Sequence, residues 1–112
     1  MIEVNVDRSS TGEILTFSMS GHADSGPYGY DLVCAGASAV SFGAVNAIAS
    51  ICNVELNVDM KDEGGYLLCA VPEEMNRAVR EQVQLLLEGM LVSLATIAEE
   101  YGEYITIDES RR

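Results

Sequence analysis

The hydrophobic patterning of this 112-residue chain predicts an α+β fold in the order ββαββα, closed by a further strand. One mixed sheet carrying two helices is expected, as a two- or three-layer sandwich. Two observations predict it. Apolar residues alternate with polar ones, the period of a half-buried strand, at both ends and in the middle of the chain. Between those stretches lie two long segments with apolar residues at helical spacing.

The elements follow in order. Ile2-Glu3-Val4-Asn5-Val6 alternates as a first strand, Ser9-Ser10-Thr11-Gly12 is a turn cluster, and Ile14 to Met19 reads as the second strand of a hairpin. Gly21 to Tyr30 holds three glycines and a proline and predicts a long, mobile loop, a common place for function. Asp31 is the expected N-cap of a helix that opens on Leu32, Val33 and Cys34 and runs to about Ile51. Val33, Ala37, Val40, Ala44, Ile48 and Ile51 mark one apolar face. Gly36, Ala39, Gly43 and Ala47 mark a second face of small residues, which predicts a close neighbour and favours a subunit contact.

Val54 to Met60 and Tyr66 to Val71 read as a second pair of strands around an Asp62-Glu63-Gly64-Gly65 turn. Pro72 ends the latter, and Glu73 and Glu74 are expected in the first turn of a second helix, where the dipole favours acids. Val79, Val83, Leu86, Leu87, Met90, Leu94, Ile97 and Tyr101 give that helix one apolar face, with Gly102 as its stop. Tyr104 to Ile107 is a last short strand. The polar tail 108–112 is expected to fray. Residues 1–112 thus read as one domain.

Composition narrows the function. The chain is 48% hydrophobic, enough for a packed core, and carries 18 acids against 6 Lys and Arg, a net charge of −12. No Lys/Arg stripe exists to release counterions, so nucleic acid is not an expected partner; the charge favours a basic macromolecular partner or serves solubility alone. The start Met1-Ile2-Glu3-Val4 has an acid where a secretory leader carries basic residues. The apolar stretch 33–52 is broken by Ser38, Ser41, Asn46 and Ser50 and reads as a buried helix, so no membrane contact is expected. Three cysteines without CxxC spacing suit a reducing, cytoplasmic setting and argue against a disulfide framework or a zinc site.

One constellation carries chemistry. His22, the sole histidine, lies on the glycine-rich loop, and Cys34 follows at the expected start of the helix. A thiolate is a nucleophile, and both an imidazolium and a helix N-terminus stabilise it. The same helix start offers backbone amides for an oxyanion. Asp31 could orient His22, as could Asp24, although an Asp31 left unpaired beside Cys34 would oppose ionisation. A free cysteine is ordinarily a small buried hydrophobe, and Cys52 and Cys69 read that way. About 27 Å of helix separates Cys52 from Cys34.

Gly21-His22-Ala23, Gly29 and the run Asp31-Leu32-Val33-Cys34-Ala35-Gly36-Ala37-Ser38-Ala39-Val40 resemble the signature of the ribosomal-processing cysteine proteases of the Prp family. The resemblance covers the whole chain. It implies a cysteine endopeptidase that removes an N-terminal extension from the bacterial large-subunit ribosomal protein L-twenty-seven. His22 would be the catalytic histidine and Cys34 the nucleophile, with no metal or organic cofactor. It also implies a homodimer with the mobile loop 21–30 over the site. Two other classes stay open at this point: a non-catalytic module that binds a ribosomal protein, and a thiol redox sensor.

Overall fold

The computed structural model describes residues 1–21, 28–61 and 66–112, and of 28–31 the backbone alone. In chain order the elements are β1 (Ile2–Arg8), β2 (Ile14–Ser20), α1 (Tyr28–Cys52), β3 (Asn57–Met60), β4 (Tyr66–Ala70), α2 (Arg77–Glu100) and β5 (Ile105–Arg111). The strands form one mixed sheet in the order β3-β4-β2-β1-β5, with β5 parallel to β1 and every other pair antiparallel. This is the expected α+β architecture, and the two-layer form of it.

Alternation decides which face the helices cover. Ile2, Val4 and Val6 are buried while Glu3 and Asn5 between them are exposed. Register carries that parity across the sheet. Val6 stands opposite Phe17, Phe17 opposite Cys69, and Val4 between Met19 and Ile107. Val33, Ala37 and Ile48 of α1 and Val83, Leu87, Met90 and Leu94 of α2 close the core from the other side. The remaining sheet face, with Asn5, Thr16, Ser18 and Asp108, is polar and open.

β3 starts at Asn57 rather than Val54, and three further differences from expectation have a local reason. First, α1 starts at Tyr28, so Asp31 is inside the helix and does not cap it. Gly29 between two tyrosines is a weak helix former, but it is taken into the first turn of a 25-residue helix whose packing supplies the stability. The turn over 62–65 and the loop over 22–27 lie outside the described residues.

Second, α2 begins after Glu73 and Glu74. The Asn76 side chain accepts a hydrogen bond from the Val79 amide at 2.9 Å and caps the helix there. The Arg80 guanidinium donates to the Glu73 carbonyl, holding that segment outside the helix. At the far end Tyr101, rather than Gly102, is the capping residue, its amide bonded to the Ile97 carbonyl.

Third, the tail 108–112 does not fray: β5 continues to Arg111, paired with β1 along its whole length. Side chains hold what apolar burial does not. The Arg8 guanidinium, largely covered, grips both carboxylate oxygens of Glu88 on α2 at 2.6 and 2.9 Å, Glu109 of β5 at 2.8 Å and the Gly12 carbonyl at 2.8 Å. Arg112 reaches Asp7 at 2.9 Å. The Arg8 hydrogen bonds hold Glu88 below the usual carboxylate range. A chain ending at Ile107 loses half of the β1–β5 ladder and both ion pairs of that strand. Its thermal midpoint is expected to fall by about 5–10 °C, measured by circular dichroism. An unchanged midpoint would show the tail to be a passenger.

Candidate active site

Cys34 is placed by the way α1 sits between its neighbours. Gly36 faces α2, where a Cβ would meet the Ile97 side chain at 3.6 Å. Ser41, fully buried, faces the sheet, its hydroxyl 3.8 Å from the Met19 sulfur. At 100° per residue, the helix turns from the α2 side at Gly36 through the sheet side at Ser41 to a third flank. That flank carries Cys34, Val45, Ser38 and Phe42. It points away from α2, and therefore toward β4 and β3, because α2 lies toward β1, β2 and β5. Gln84 of α2 bonds both the amide and the carbonyl of Ile14, and Glu88 holds Arg8.

Cys34 is half-buried at the margin of the core. Cys52 and Cys69 are buried, as expected for packed thiols. Desolvation in the sheet pushes Cys69 up to about 11, which keeps it a protonated, inert thiol at neutral pH. Cys34 is thus the one partly accessible thiol of the three.

The longer α1 changes the electrostatic reading. Cys34 is the seventh helical residue, one turn deeper than expected, and its amide is committed to the helical ladder. The free first-turn amides belong to residues 28–31, so Cys34 does not sit in the field of an open helix end. Asp31 lies one turn before Cys34 on the same helix, and Ser38 one turn after it. His22 and Asp24 lie outside the described residues.

Gly21, the residue before His22, is held in a conformation only glycine adopts without strain. Its φ is +115°, and a Cβ there would stand 2.1 Å from the Met1 carbonyl oxygen. The end of β2 is therefore locked against the start of β1 where the chain departs toward the histidine. Sequence reasoning marked this glycine as part of a loop. Its close approach to Met1 depends on β1–β2 register and is invisible in the local sequence. Among the described residues, no group of three or more His, Cys, Asp or Glu side chains is placed to hold a metal ion.

Two outcomes follow from this geometry. Iodoacetamide is expected to modify one thiol per native chain, Cys34, and all three after denaturation, as read by peptide mass spectrometry; labelling of native Cys69 would contradict its burial. Gly21→Ala is expected to lower the thermal midpoint by roughly 5–15 °C, the scale of one strained backbone position. A midpoint equal to that of the unmodified chain would mean that Met1 moves aside without cost.

Comparison with known proteins identifies the family and the fold. The family described as cysteine protease Prp matches residues 1–106. The ribosomal processing cysteine protease Prp of Bacillus subtilis is 43% identical over 107 residues, covering 96% of each chain. Its counterpart in Staphylococcus aureus is 43% identical over 108 residues, covering 96% of this chain and 98% of that one. The fold is that of the Staphylococcus aureus enzyme solved in complex with a substrate peptide, with a TM-score of 0.87 at 40% identity, over 98% of this chain and 100% of that one. The same enzyme with a covalently linked product peptide superposes with a TM-score of 0.85 at 42% identity and the same coverage. With its half-exposed thiol on the flank of a helix laid across a five-stranded sheet, the chain belongs to the Prp family of cysteine proteases.

Proposed function

We propose that this cysteine protease removes the N-terminal extension of the bacterial large-subunit ribosomal protein L-twenty-seven, with Cys34 as nucleophile and His22 as general base and acid. The observation that carries the reading is Cys34 itself. It is the accessible thiol of the three, it stands where the family signature puts the nucleophile, and the relatives it matches are ribosomal processing enzymes solved with substrate and linked product peptides.

The steps balance with these groups alone. His22 takes the Cys34 proton, and the sulfur attacks the scissile carbonyl carbon. The tetrahedral oxyanion collapses, the C–N bond breaks, and the imidazolium gives its proton to the leaving amine. A thioester remains. Water, deprotonated by His22, attacks it, and the C–S bond breaks to return the thiol and release the carboxylate. Asp31 orients His22 in this scheme, acting from the first turn of α1 in place of the capping role expected for it. No step needs a metal or an organic cofactor.

Charge supports a ribosomal-protein substrate, because a chain of net charge −12 attracts a basic partner from a distance. We place the enzyme in the cytoplasm, where three unpaired thiols stay reduced. We place a homodimer contact on the outward face of α1, opposite the core, where exposed Leu32 is in line with Ala39, Gly43 and Ser50. Nothing stands within 4 Å of a Cβ built on Gly43, so that face has room for a second backbone.

The test is one incubation. A peptide spanning the extended N-terminus is mixed with the native enzyme, Cys34→Ala and His22→Ala, and the products are weighed by mass spectrometry. One cut by the native enzyme, lost in both variants, is the expected result. A peptide that binds and stays whole would overturn the proteolytic reading of the site. Cutting that survives His22→Ala at full rate would remove His22 from the mechanism.

A further inference from the structure

Both helices pack on one side of the sheet, and among the described residues no layer covers the other side. One straight row crosses that open face through all five strands. Asp59 on β3 stands opposite Leu68, Leu68 opposite Ser18, Ser18 opposite Asn5, and Asn5 opposite Asp108 on β5. A carboxylate therefore marks each edge of the sheet, the two roughly 19 Å apart at about 4.8 Å per strand. Glu3 and Asp7 flank Asn5 on the same face of β1. Between the carboxylates the side chains are short. They leave a hollow of about 140 Å³ bordered by Asn5, Asp7, Thr16, Ser18, Asp108 and Ser110.

The helix side balances much of its charge. Glu88 and Glu109 share Arg8, and Glu81 faces Arg77. On the open face Asp7 is paired with Arg112 at 2.9 Å. Glu3, Asp59 and Asp108 are exposed and form no ion pair among the described residues. Lys61, the sole lysine, is engaged over the Tyr66 ring at 5.7 Å. Glu3 and Asp108 are diagonal neighbours on the β1–β5 ladder, about 8 Å apart at the backbone, and they repel. The fold gains nothing from that placement, and a positively charged partner would relieve it.

We propose that the open sheet face docks the basic mature part of the ribosomal-protein substrate, which the enzyme then holds at two places, by its extension at Cys34 and by its body here. This rests on the proteolytic reading of Cys34 and adds a second contact to it. Charge selects the occupant. A second copy of this chain would bring acid to acid, and nucleic acid would bring phosphate to acid. A protein built to bind ribosomal RNA carries Lys and Arg on its surface. Those long side chains can reach the carboxylates across a floor of serine, threonine and asparagine, whose oxygens accept hydrogen bonds from them. The face is on the opposite side of the sheet from α1, so a substrate that engages both must round an edge. About 10 Å of helix layer and half the sheet width, about 12 Å, equal roughly seven residues of extended chain.

The experiment separates the two contacts by substrate length. One substrate is the whole L-twenty-seven protein with its extension. The other is a peptide of that extension ending about four residues after the scissile bond, too short to round the sheet. Three enzymes are compared: native, the sheet-face variant Glu3→Gln/Asp59→Asn/Asp108→Asn, and a control, Glu73→Gln/Glu74→Gln/Glu100→Gln. The control removes the same charge from exposed positions beside the two ends of α2. On the whole protein the sheet-face variant is expected to lose about tenfold in kcat/KM, carried by KM. In about 1 M salt, where screening shortens to roughly 3 Å, the native enzyme should fall to the same level. On the peptide all three enzymes should match, which also shows that the variants keep the fold.

A loss of the same size in the control would make the effect one of net charge and overturn the docking surface. So would a loss on the peptide, or no loss on either substrate. A change of oligomeric state in the sheet-face variant, read by sedimentation, would give the face to a second copy and overturn it as well. A native enzyme that cuts neither substrate overturns the proteolytic reading beneath. One that cuts both, with a KM for the whole protein no lower than for the peptide, overturns the sheet contact alone.

Discussion

The structure turns on a mismatch of widths. Five strands at about 4.8 Å each make a sheet roughly 24 Å across, and two helices about 10 Å wide cover close to four of them. α2 is committed to the β1–β5 side, pinned through Gln84 to Ile14 and through Glu88 to Arg8. α1 takes the middle, over Met19. The shortfall is left at β3, whose core-facing Val58 and Met60 remain about half exposed. Cys34, the proposed nucleophile, is on the flank of α1 that faces away from α2. The same packing that forms the core also leaves Val58 and Met60 partly exposed.

The two ends of the sheet solve their edge problem by different means. At β5 the edge is polar, and ion pairs replace burial: Arg8 with Glu109, Arg112 with Asp7. Such exposed pairs are individually weak, each worth up to about 1 kcal/mol. They act here on a strand already aligned by a seven-residue parallel ladder. Arg8 differs in being largely covered and in holding three elements at once. At β3 the edge is short, with Asn57 and Asp59 alternating with Val58 and Met60. A four-residue strand presents little ladder for another chain to extend, a common way of protecting an edge from aggregation.

Most of the fold was legible in the sequence because most of it is built by burial. β1, β2 and β4 alternate visibly, and the α2 face from Val79 to Tyr101 keeps its period for the length of the helix. What burial does not build was illegible. Asp108 to Arg111 has no apolar residue, so no hydrophobic period could announce a strand; its partners lie about a hundred residues away on β1. The α2 start was misplaced because two acids after a proline imitate a first turn, while the cap that operates is the plain side chain of Asn76. Gly29 hid the first turn of α1. In each case a specific side-chain or tertiary contact overrode a sound local preference.

The site divides along the same line. A candidate nucleophile announces itself by type and by neighbours in sequence, and Cys34 was chosen that way. Its surroundings come from elsewhere in the chain. Ser41, two turns after it on α1, lies over Met19, whose row runs through Leu67 to Met60 across three strands that only register assembles. Lengthening α1 by one turn at its start also moves the free amides away from Cys34, so reactivity cannot be credited to an open helix end. The proposed partner His22 belongs to the chain that leaves β2. The locked geometry of Gly21 against Met1 fixes where that chain departs. The proposed site thus involves the start of β1 as well as the helix that bears the cysteine.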